Sequence, residues 1–366
     1  MKQLGKFGKV FYLNPHKTTS QLIVSGTPDH NVFDVSISCS PYFHLTRQKP
    51  SQQFRSVSTD ISLECSRAAS DIASLIPADS EVLLYISAPY WRKIALKLIA
   101  NLEMKACTTS LVYDILDSVV HFKDLTPHTD KLIDDQLILC NEANLVTYTA
   151  KAMADCSPVH DFQNCLYLPN ACNPEDWTFS STIPHINTPH NVIIGYFGTI
   201  AHWFNIDLVN EVADSSLISK IQLIGPVTEG ALDNHTLSSK IELLGVRKHY
   251  EIDQIASHWS CSLIPFKDME LTQFTNPVKL YEYMALGLPV VATPLSEILH
   301  VFQTSYKPES LYDPPPAGPF RVKVVNAILN DSTEQRLERR EWATTQTWEK
   351  RVNSMLNSLP LEWKYD

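Results

Sequence analysis

The sequence predicts an α/β protein with two domains, each built on a parallel β-sheet. Its length is the first observation, because 366 residues are enough for two hydrophobic cores. Short runs of Val, Ile, Leu and Tyr also alternate along the chain with longer segments of helical period. Residues 170–191 are rich in proline and lack periodicity, which is typical of a connection between domains.

Candidate strands lie on both sides of this stretch. In the first half they are VFYLN (10–14), VFDVSI (32–37), VLLYIS (82–87), LVYDIL (111–116), LVTYT (145–149) and CLYLP (165–169). In the second half they are NVIIGYFG (191–198), IQLIG (221–225), IELLG (241–245), CSLIPF (261–266) and PVVAT (289–293). We expect a helix at about 91–105, with Ile94, Leu98 and Leu102 on its apolar face.

These elements predict the domain organisation. We expect a first domain at 1–175, a linker at 176–190 and a second domain at 191–335. Residues 336–366 are expected to form a C-terminal helical region that packs across the domains. Its helix is predicted at about 333–359, with Trp342 and Trp348 on one apolar face.

Composition excludes several classes of protein. The formal net charge of −10 argues against a protein that holds nucleic acid through broad electrostatics. No apolar stretch is long enough to span a membrane, and the first residues do not resemble a signal peptide, so we expect a cytoplasmic protein. The 8 cysteines form no C-x-x-C pair and are expected to be reduced thiols, with no metal or disulfide.

Ligands of open parallel sheets bind beyond the carboxyl ends of the strands, which draws attention to Gly198 and Thr199. Glycine lets the backbone approach a phosphate, and the N-terminus of the following helix favours the anion. A plain tight turn between strand and helix is the alternative.

The segment TNPVKLYEYMALGLPVV (275–291) predicts a second ligand-facing helix. Asn276 is placed as its N-cap, Pro277 in its first turn and Gly287 at its end. Lys279 and Glu282 then share a face near the helix start, where they are suited to a diphosphate and to ribose hydroxyls. A solvated salt bridge between the two is the alternative.

The segments IPFKDMELTQFTNPVKLYEYMALGLPVVATPLSEI (264–298) and GYFGTIAHWFNIDLV (195–209) resemble the GT4-like retaining glycosyltransferases, in particular the teichuronic acid biosynthesis branch. The resemblance covers about residues 80–350 and is strongest after the linker. It implies a GT-B fold, in which two Rossmann-like parallel-sheet domains face a cleft. It also implies sugar transfer with retention from a nucleotide diphosphate sugar, without a cofactor or bound metal.

The same resemblance assigns residues to roles. Lys279 and Glu282 correspond to the groups on the diphosphate and the ribose, and both are taken as catalytic together with Asp114, which follows a strand facing the expected cleft. The remaining residues expected to bind the donor are Gly198, Thr199, His202, Gly245, Val246, Arg247, Thr275, Asn276 and Leu280. Asp117, one turn after Asp114, is a second candidate to face the acceptor; a capping or helix-start role is the alternative for both aspartates.

Two departures from the family pattern leave a second hypothesis open. Phe274 stands where many relatives have the first of two glutamates, and nothing in the sequence shows that Glu270 replaces it. The chain also starts near what would be the second strand of the family. The alternative is therefore a catalytically degenerate sugar-nucleotide-binding subunit or scaffold, and a GT-B epimerase is a third hypothesis.

The expected partners follow from these hypotheses. They are a nucleotide-sugar donor and a glycan or lipid-linked glycan acceptor of polysaccharide biosynthesis, together with a second copy of the chain or a partner subunit that completes the cleft. Trp91, Arg92, Lys93 and Lys97 suggest peripheral contact with the inner face of a membrane. A helix packed on the sheet with a solvated basic side is the alternative.

Overall fold

The computed structural model describes residues 3–18, 23–27, 32–37, 61–122, 129–156, 159–179, 192–304 and 320–359. Contacts divide the chain into two compact units. The described residues of unit 1 fall within Met1–Thr149, Met153–Leu168 and Val352–Asp366, and those of unit 2 within Ala150–Ala152 and Pro169–Arg351.

Unit 1 contains two sheets among its described residues. The smaller has the order β1-β3-β2, and the larger is parallel with the order β4-β5-β6-β7. The strands are β1 (Val10–Thr18), β2 (Ile23–Thr27), β3 (Val32–Ile37), β4 (Glu81–Ile86), β5 (Thr108–Ile115), β6 (Leu145–Tyr148) and β7 (Cys165–Tyr167). The helices between them are α1 (Ile61–Ser74), α2 (Arg92–Glu103) and α3 (Thr129–Glu142).

The smaller sheet differs from the prediction. Strand β2 was not predicted, and it pairs antiparallel with β3, whereas β1 and β3 are parallel as expected. Its sequence, IVSGT, has only two apolar residues and a glycine, so it lacks the apolar run that marks the other strands.

Helix α2 confirms the predicted apolar face, because Ile94, Leu98 and Leu102 are buried. Trp91 is buried too, and Arg92 Nε donates to Asp135 Oδ1 over 2.6 Å. The aromatic residue and one of the three cations named for membrane contact are thus engaged inside unit 1. This favours the alternative of a helix packed on the sheet.

Unit 2 is built on a five-stranded sheet with the order β10-β9-β8-β11-β12, parallel throughout. Its strands are β8 (Val192–Phe197), β9 (Ile218–Ile224), β10 (Ile241–Gly245), β11 (Cys261–Ile264) and β12 (Val290–Ala292). The helices are α4 (Ile206–Ala213), α5 (His249–Ala256), α6 (Glu270–Gln273), α7 (Val278–Leu286), α8 (Ser296–Thr304), α9 (Phe320–Leu329) and α10 (Thr333–Thr345). Helix α11 (Trp348–Asn357) starts in unit 2 and continues into unit 1.

The C-terminal helical region is two helices rather than one. Helix α10 ends before Gln346, because the backbone around Thr347 pairs with Cys172 instead of continuing the helix. Trp342 is therefore buried while Trp348 is 36% exposed, and the predicted shared face is wrong. The end of α11 belongs to unit 1, where Met355 and Leu356 pack with Val112 of β5.

The described part of the proline-rich stretch, residues 170–179, belongs to unit 2. Trp177 is buried, and its ring stacks on Phe197 with 5.3 Å between the centroids. Its carbonyl accepts a hydrogen bond from Arg340 over 3.1 Å. Burial of an aromatic side chain holds this segment against the core of unit 2, although its prolines suggested a linker.

The core of unit 2 requires a glycine within strand β8. A β-carbon at Gly195 would lie 2.2 Å from Cζ2 of Trp259, a side chain with no exposed surface. The indole is fixed because its Nε1 donates to Gln222 Oε1 over 2.9 Å. The strand and the tryptophan are therefore in van der Waals contact, and displacing either of them would cost packing energy.

Gly195→Ala should destabilise the protein by about 1 to 3 kcal/mol through overpacking against Trp259. Urea unfolding measures this change. Adding Trp259→Phe, which shortens the ring, should make the double variant less destabilised than the sum of the two single changes. Strict additivity would contradict the steric explanation.

Candidate functional site

The strand order of unit 2 indicates where a ligand can bind. Counted along the chain, β8 is the first strand and the order becomes 3-2-1-4-5, so the order reverses between β8 and β11. Crevices at such a switch point, outside the carboxyl ends of the strands, bind ligands in open parallel sheets. The residues at this edge are Gly198 after β8 and Pro265 after β11.

The loop after β8 is shaped by close backbone approach. Gly198 has φ of 142°, and a β-carbon there would lie 2.4 Å from Cε of Lys279 and 2.7 Å from Oη of Tyr196. Gly225, after β9, has φ of 141° and a β-carbon there would lie 2.0 Å from the carbonyl oxygen of Gly198. Both positions thus combine a backbone conformation suited to glycine with no room for a side chain.

Helix α7 brings its N-terminus and a cation to this loop. The helix starts one residue later than predicted, with Pro277 rather than Asn276 in the N-cap position. Within the described residues, the backbone N–H groups of Val278 and Lys279 have no hydrogen-bond partner. Gly287 ends the helix with φ of 79°, as predicted. The helix dipole and the Lys279 ammonium together favour an anion at Gly198.

Glu282 lies one helical turn after Lys279 and is partly buried. Burial raises the pKa of its carboxyl to about 7, and the nearby positive charge of Lys279 opposes this rise. The carboxylate is also close enough to Cys172 for its charge to add to the burial that raises the pKa of that thiol to about 12. Glu282 is therefore a carboxyl group held in a poorly solvated place, where an ionised form gains from a hydroxyl donor.

The loop that follows Gly198 is held by hydrogen bonds to the segment just after strand β11. Asn205 N–H donates to the carbonyl of Pro265, and Lys267 N–H donates to the carbonyl of Trp203, both over 2.7 Å. His202 is exposed, and its ring lies 4.8 Å from that of Trp203. Thr199 is partly buried, and its carbonyl accepts from Tyr196 Oη over 2.9 Å.

Lys267 is a cation at the switch point that the sequence prediction did not include. It is partly buried and follows strand β11 after only two residues, Pro265 and Phe266. Its position just beyond a buried strand was the signal that could have identified it.

The loop after β10 reaches the same edge through backbone contacts. Gly245 has φ of 67°, and its carbonyl accepts from Gly225 N–H over 2.9 Å. Val246 is 68% exposed, and Arg247 is exposed as well. An exposed valine gives this loop an apolar group against which a planar ring can lie.

Three of the predicted donor-binding side chains face inward. Leu280 is buried in the core of unit 2, and the Thr275 hydroxyl donates to the carbonyl of Leu271 over 2.7 Å. Asn276 is 3% exposed, and its Nδ2 donates to Tyr281 Oη and to Glu297 Oε1. The sequence places these residues beside Lys279, but their side chains are engaged with other groups of unit 2.

Asp114, the aspartate taken as catalytic, lies in unit 1 and is 3% exposed. Its Oδ1 accepts from Thr147 Oγ1 over 2.6 Å, and its Oδ2 accepts from Tyr85 Oη. Burial raises the pKa of its carboxyl, whereas these two hydrogen bonds lower it. Both oxygens are engaged within the sheet, which favours a structural role for Asp114. Asp117, just beyond the strand, is exposed.

Neither a metal-binding cluster nor a membrane-spanning helix is found in the part of the chain that the structure describes. No group of three or more His, Cys, Asp or Glu residues there could hold a metal ion. No described helix is long and apolar enough to cross a membrane.

No protein-family model matches the sequence, and neither does any curated protein sequence. The structure, in contrast, resembles solved structures. One is the trehalose-phosphate synthase (UDP-forming) of Burkholderia vietnamiensis, with a TM-score of 0.59, 11% identity and coverage of 98% of this chain and 92% of that chain. The chain has the GT-B fold.

Two further GT-B structures are similar at the same level. S. aureus TarM in complex with UDP has a TM-score of 0.56 and 14% identity, over 81% of this chain and 59% of TarM. This chain therefore spans about three fifths of the length of TarM. The galactosyltransferase WaaB of the lipopolysaccharide outer core has a TM-score of 0.52 and 11% identity, over 81% and 80% of the two chains.

The raised pKa of Glu282 predicts how stability depends on pH. Its contribution is fully present below about pH 4.5 and is lost as the pH rises through about 7, because the folded protein disfavours the ionised carboxyl. Relative to Glu282→Gln, the wild type should lose about 2 kcal/mol of unfolding free energy between pH 5 and pH 8. Urea unfolding of both proteins at pH 5 and pH 8 tests this. An equal difference in unfolding free energy between wild type and Glu282→Gln at the two pH values would contradict a raised pKa for Glu282.

Proposed function

We propose that this chain is a glycosyltransferase that holds a nucleotide diphosphate sugar at the carboxyl edge of the sheet in unit 2. The sugar would pass, with retention of its anomeric configuration, to a glycan or lipid-linked glycan acceptor in polysaccharide biosynthesis. One observation carries the proposal. Lys279 and the start of helix α7 converge on the side-chain-free surface of Gly198, with Glu282 one turn further on.

In this proposal each group has a distinct task. The diphosphate lies against Gly198, where the N–H groups of Val278 and Lys279 and the Lys279 ammonium neutralise it. Glu282 accepts a hydrogen bond from a ribose hydroxyl, and the nucleobase lies on the loop at Val246. His202 and Lys267 border the sugar, since the Lys267 N–H donates to the carbonyl of Trp203, the neighbour of His202.

The same arrangement favours departure of the nucleotide. Negative charge develops on the diphosphate as the bond to the sugar breaks, and fixed N–H dipoles and ammonium groups stabilise that charge more than they stabilise the intact donor. Lys279, Lys267 and the helix terminus supply positive charge without a metal ion. Asp114 has no step in this scheme, because both of its oxygens already accept hydrogen bonds inside unit 1.

Similar structures support nucleotide binding as the first property to test. One was solved with UDP, and another bears the name of a UDP-forming synthase. These names describe those proteins, and identities of 11–14% extend only the fold to this chain. The support for donor binding in this chain is therefore the geometry around Gly198, Lys279 and Glu282.

A binding subunit without turnover is the second candidate function. Phe274 supports it, because an apolar side chain ends helix α6 where the family pattern has a carboxylate. The two candidates agree on donor binding and differ in product formation.

Calorimetric titration with UDP, GDP, dTDP, ADP and CMP, without metal, should show micromolar binding of one nucleotide. Lys279→Ala should weaken that binding about 10- to 100-fold, because it removes a charge-assisted hydrogen bond. Lys350→Ala is the matched control, since Lys350 is exposed on helix α11, and it should bind as the wild type does. Absence of binding to every nucleotide, or full affinity in Lys279→Ala, would contradict the proposal.

Turnover then separates the two candidates. Incubation with the corresponding nucleotide sugars and a glycan or lipid-linked glycan panel should yield a product with the anomeric configuration of the donor. Binding without product in the whole panel would favour the binding subunit. Isomerised nucleotide sugar formed from donor alone would indicate an epimerase.

A further inference from the structure

Glu297 is a carboxylate buried in unit 2 with no role in the proposed function. It lies in the first turn of helix α8 and is 1% exposed. Its Oε2 accepts from the backbone N–H of Lys151 over 2.7 Å, and its Oε1 accepts from Asn276 Nδ2 over 3.0 Å. Burying a charge away from water is costly unless the charge is fully hydrogen-bonded. These two hydrogen bonds therefore hold the Glu297 carboxylate in one position.

Asn276 extends these contacts to the start of helix α7. The residue immediately precedes Pro277, the N-cap of the helix that carries Lys279 and Glu282. A carboxylate only accepts hydrogen bonds, so its partner must be the amide nitrogen, and this fixes the orientation of the Asn276 side chain. The same nitrogen donates to Tyr281 Oη over 3.1 Å.

The contacts continue to each place where the chain passes between the two units. These passages lie at residues 149–153, 168–169 and 351–352. Lys151 belongs to the first. At the second, Asn170 Nδ2 donates to the carbonyl of Asn276 over 2.6 Å. At the third, Arg351 Nε donates to the carbonyl of Pro169 over 2.9 Å.

We propose that Glu297 is a positioning residue for the donor site. Through Asn276 it links the start of helix α7 to the three passages, so that a nucleotide bound at Lys279 and Glu282 orders the backbone of the passages. Glu297 acts through a set of hydrogen-bonded residues that we call the passage network: Lys151, Asn170, Asn276, Glu297 and Arg351. The inference rests on the proposed function only in naming a nucleoside diphosphate as the ligand. The network itself consists of contacts within unit 2.

Glu297→Gln tests the network with little change of shape. Glutamine has one acceptor oxygen in place of two, so either Lys151 or Asn276 loses its partner. Hydrogen exchange without nucleotide should accelerate together in residues 150–152, 169–172 and 278–282. Affinity for the nucleotide that the wild type binds should fall about tenfold, because residue 297 no longer holds both Asn276 and Lys151 in place.

Adding Asn276→Asp to Glu297→Gln provides a rescue. The donor and acceptor are exchanged, so the new amide at 297 donates to the new carboxylate at 276 and its oxygen still accepts from Lys151. The double variant should return exchange and affinity to within about threefold of the wild type. Glu338→Gln is the control, since it removes the same charge from an exposed position on helix α10 and should change neither.

A further measurement separates positioning from plain stability. In the wild type, added nucleotide should slow exchange both in α7 and at the three passages. In Glu297→Gln, saturating nucleotide should protect α7 alone. If Glu297→Gln does not fold, Asn170→Ala carries the test, because it cuts only the contact between the second passage and Asn276.

The outcomes distinguish the two proposals. If the wild type binds no nucleotide, the proposed function is wrong. The hydrogen-exchange measurements without nucleotide then still show whether the passage network exists. Wild-type affinity in Glu297→Gln, or faster exchange at Lys151 alone, overturns the positioning role and leaves the proposed function intact. Failure of the double variant to recover overturns it as well.

Discussion

Lys279 can lie against the end of strand β8 because residue 198 has no side chain. A β-carbon there would come within 2.4 Å of Lys279 Cε, and a β-carbon at Gly225 would meet the carbonyl of Gly198 itself. Three segments therefore meet at van der Waals distance: the loops after β8 and β9 and the first turn of α7. The N–H groups that start helix α7 and the Lys279 side chain therefore lie at the same edge of the sheet as Gly198, an arrangement that favours an anion.

Helix α7 is held at both ends, so Lys279 and Glu282 are carried on a rigid element. At its start, the backbone before Pro277 is fixed through Asn276 and Glu297. At its end, Arg339 donates to the carbonyl of Gly287 over 3.0 Å and pairs with the buried carboxylate of Asp331. Buried ion pairs of this kind add little stability, and their value here lies in fixing one geometry. A functional site gains most from such precise support.

Local sequence predicted what depends on local chemistry. Gly287 predicted the end of helix α7 because a left-handed residue is required there, and among the strands that the structure describes apolar runs predicted all but β2. The spacing of Lys279 and Glu282 predicted that they lie close together near the start of this helix, and the charge of Lys279 does act on Glu282. Asn276 was expected to bind the donor from the family resemblance, whereas in the structure its amide donates to Glu297, which is 21 residues away in the sequence. The break at Gln346 depends on pairing with Cys172, far along the chain, and periodicity carries no record of it.

A crystal structure with the nucleoside diphosphate that the chain binds tests the central claim most directly. The account predicts phosphate oxygens within about 3 Å of Lys279 Nζ and of the N–H groups that start helix α7, with a ribose hydroxyl on Glu282. A nucleotide bound elsewhere, or at this edge with its phosphates turned away from Gly198 and Lys279, would contradict it.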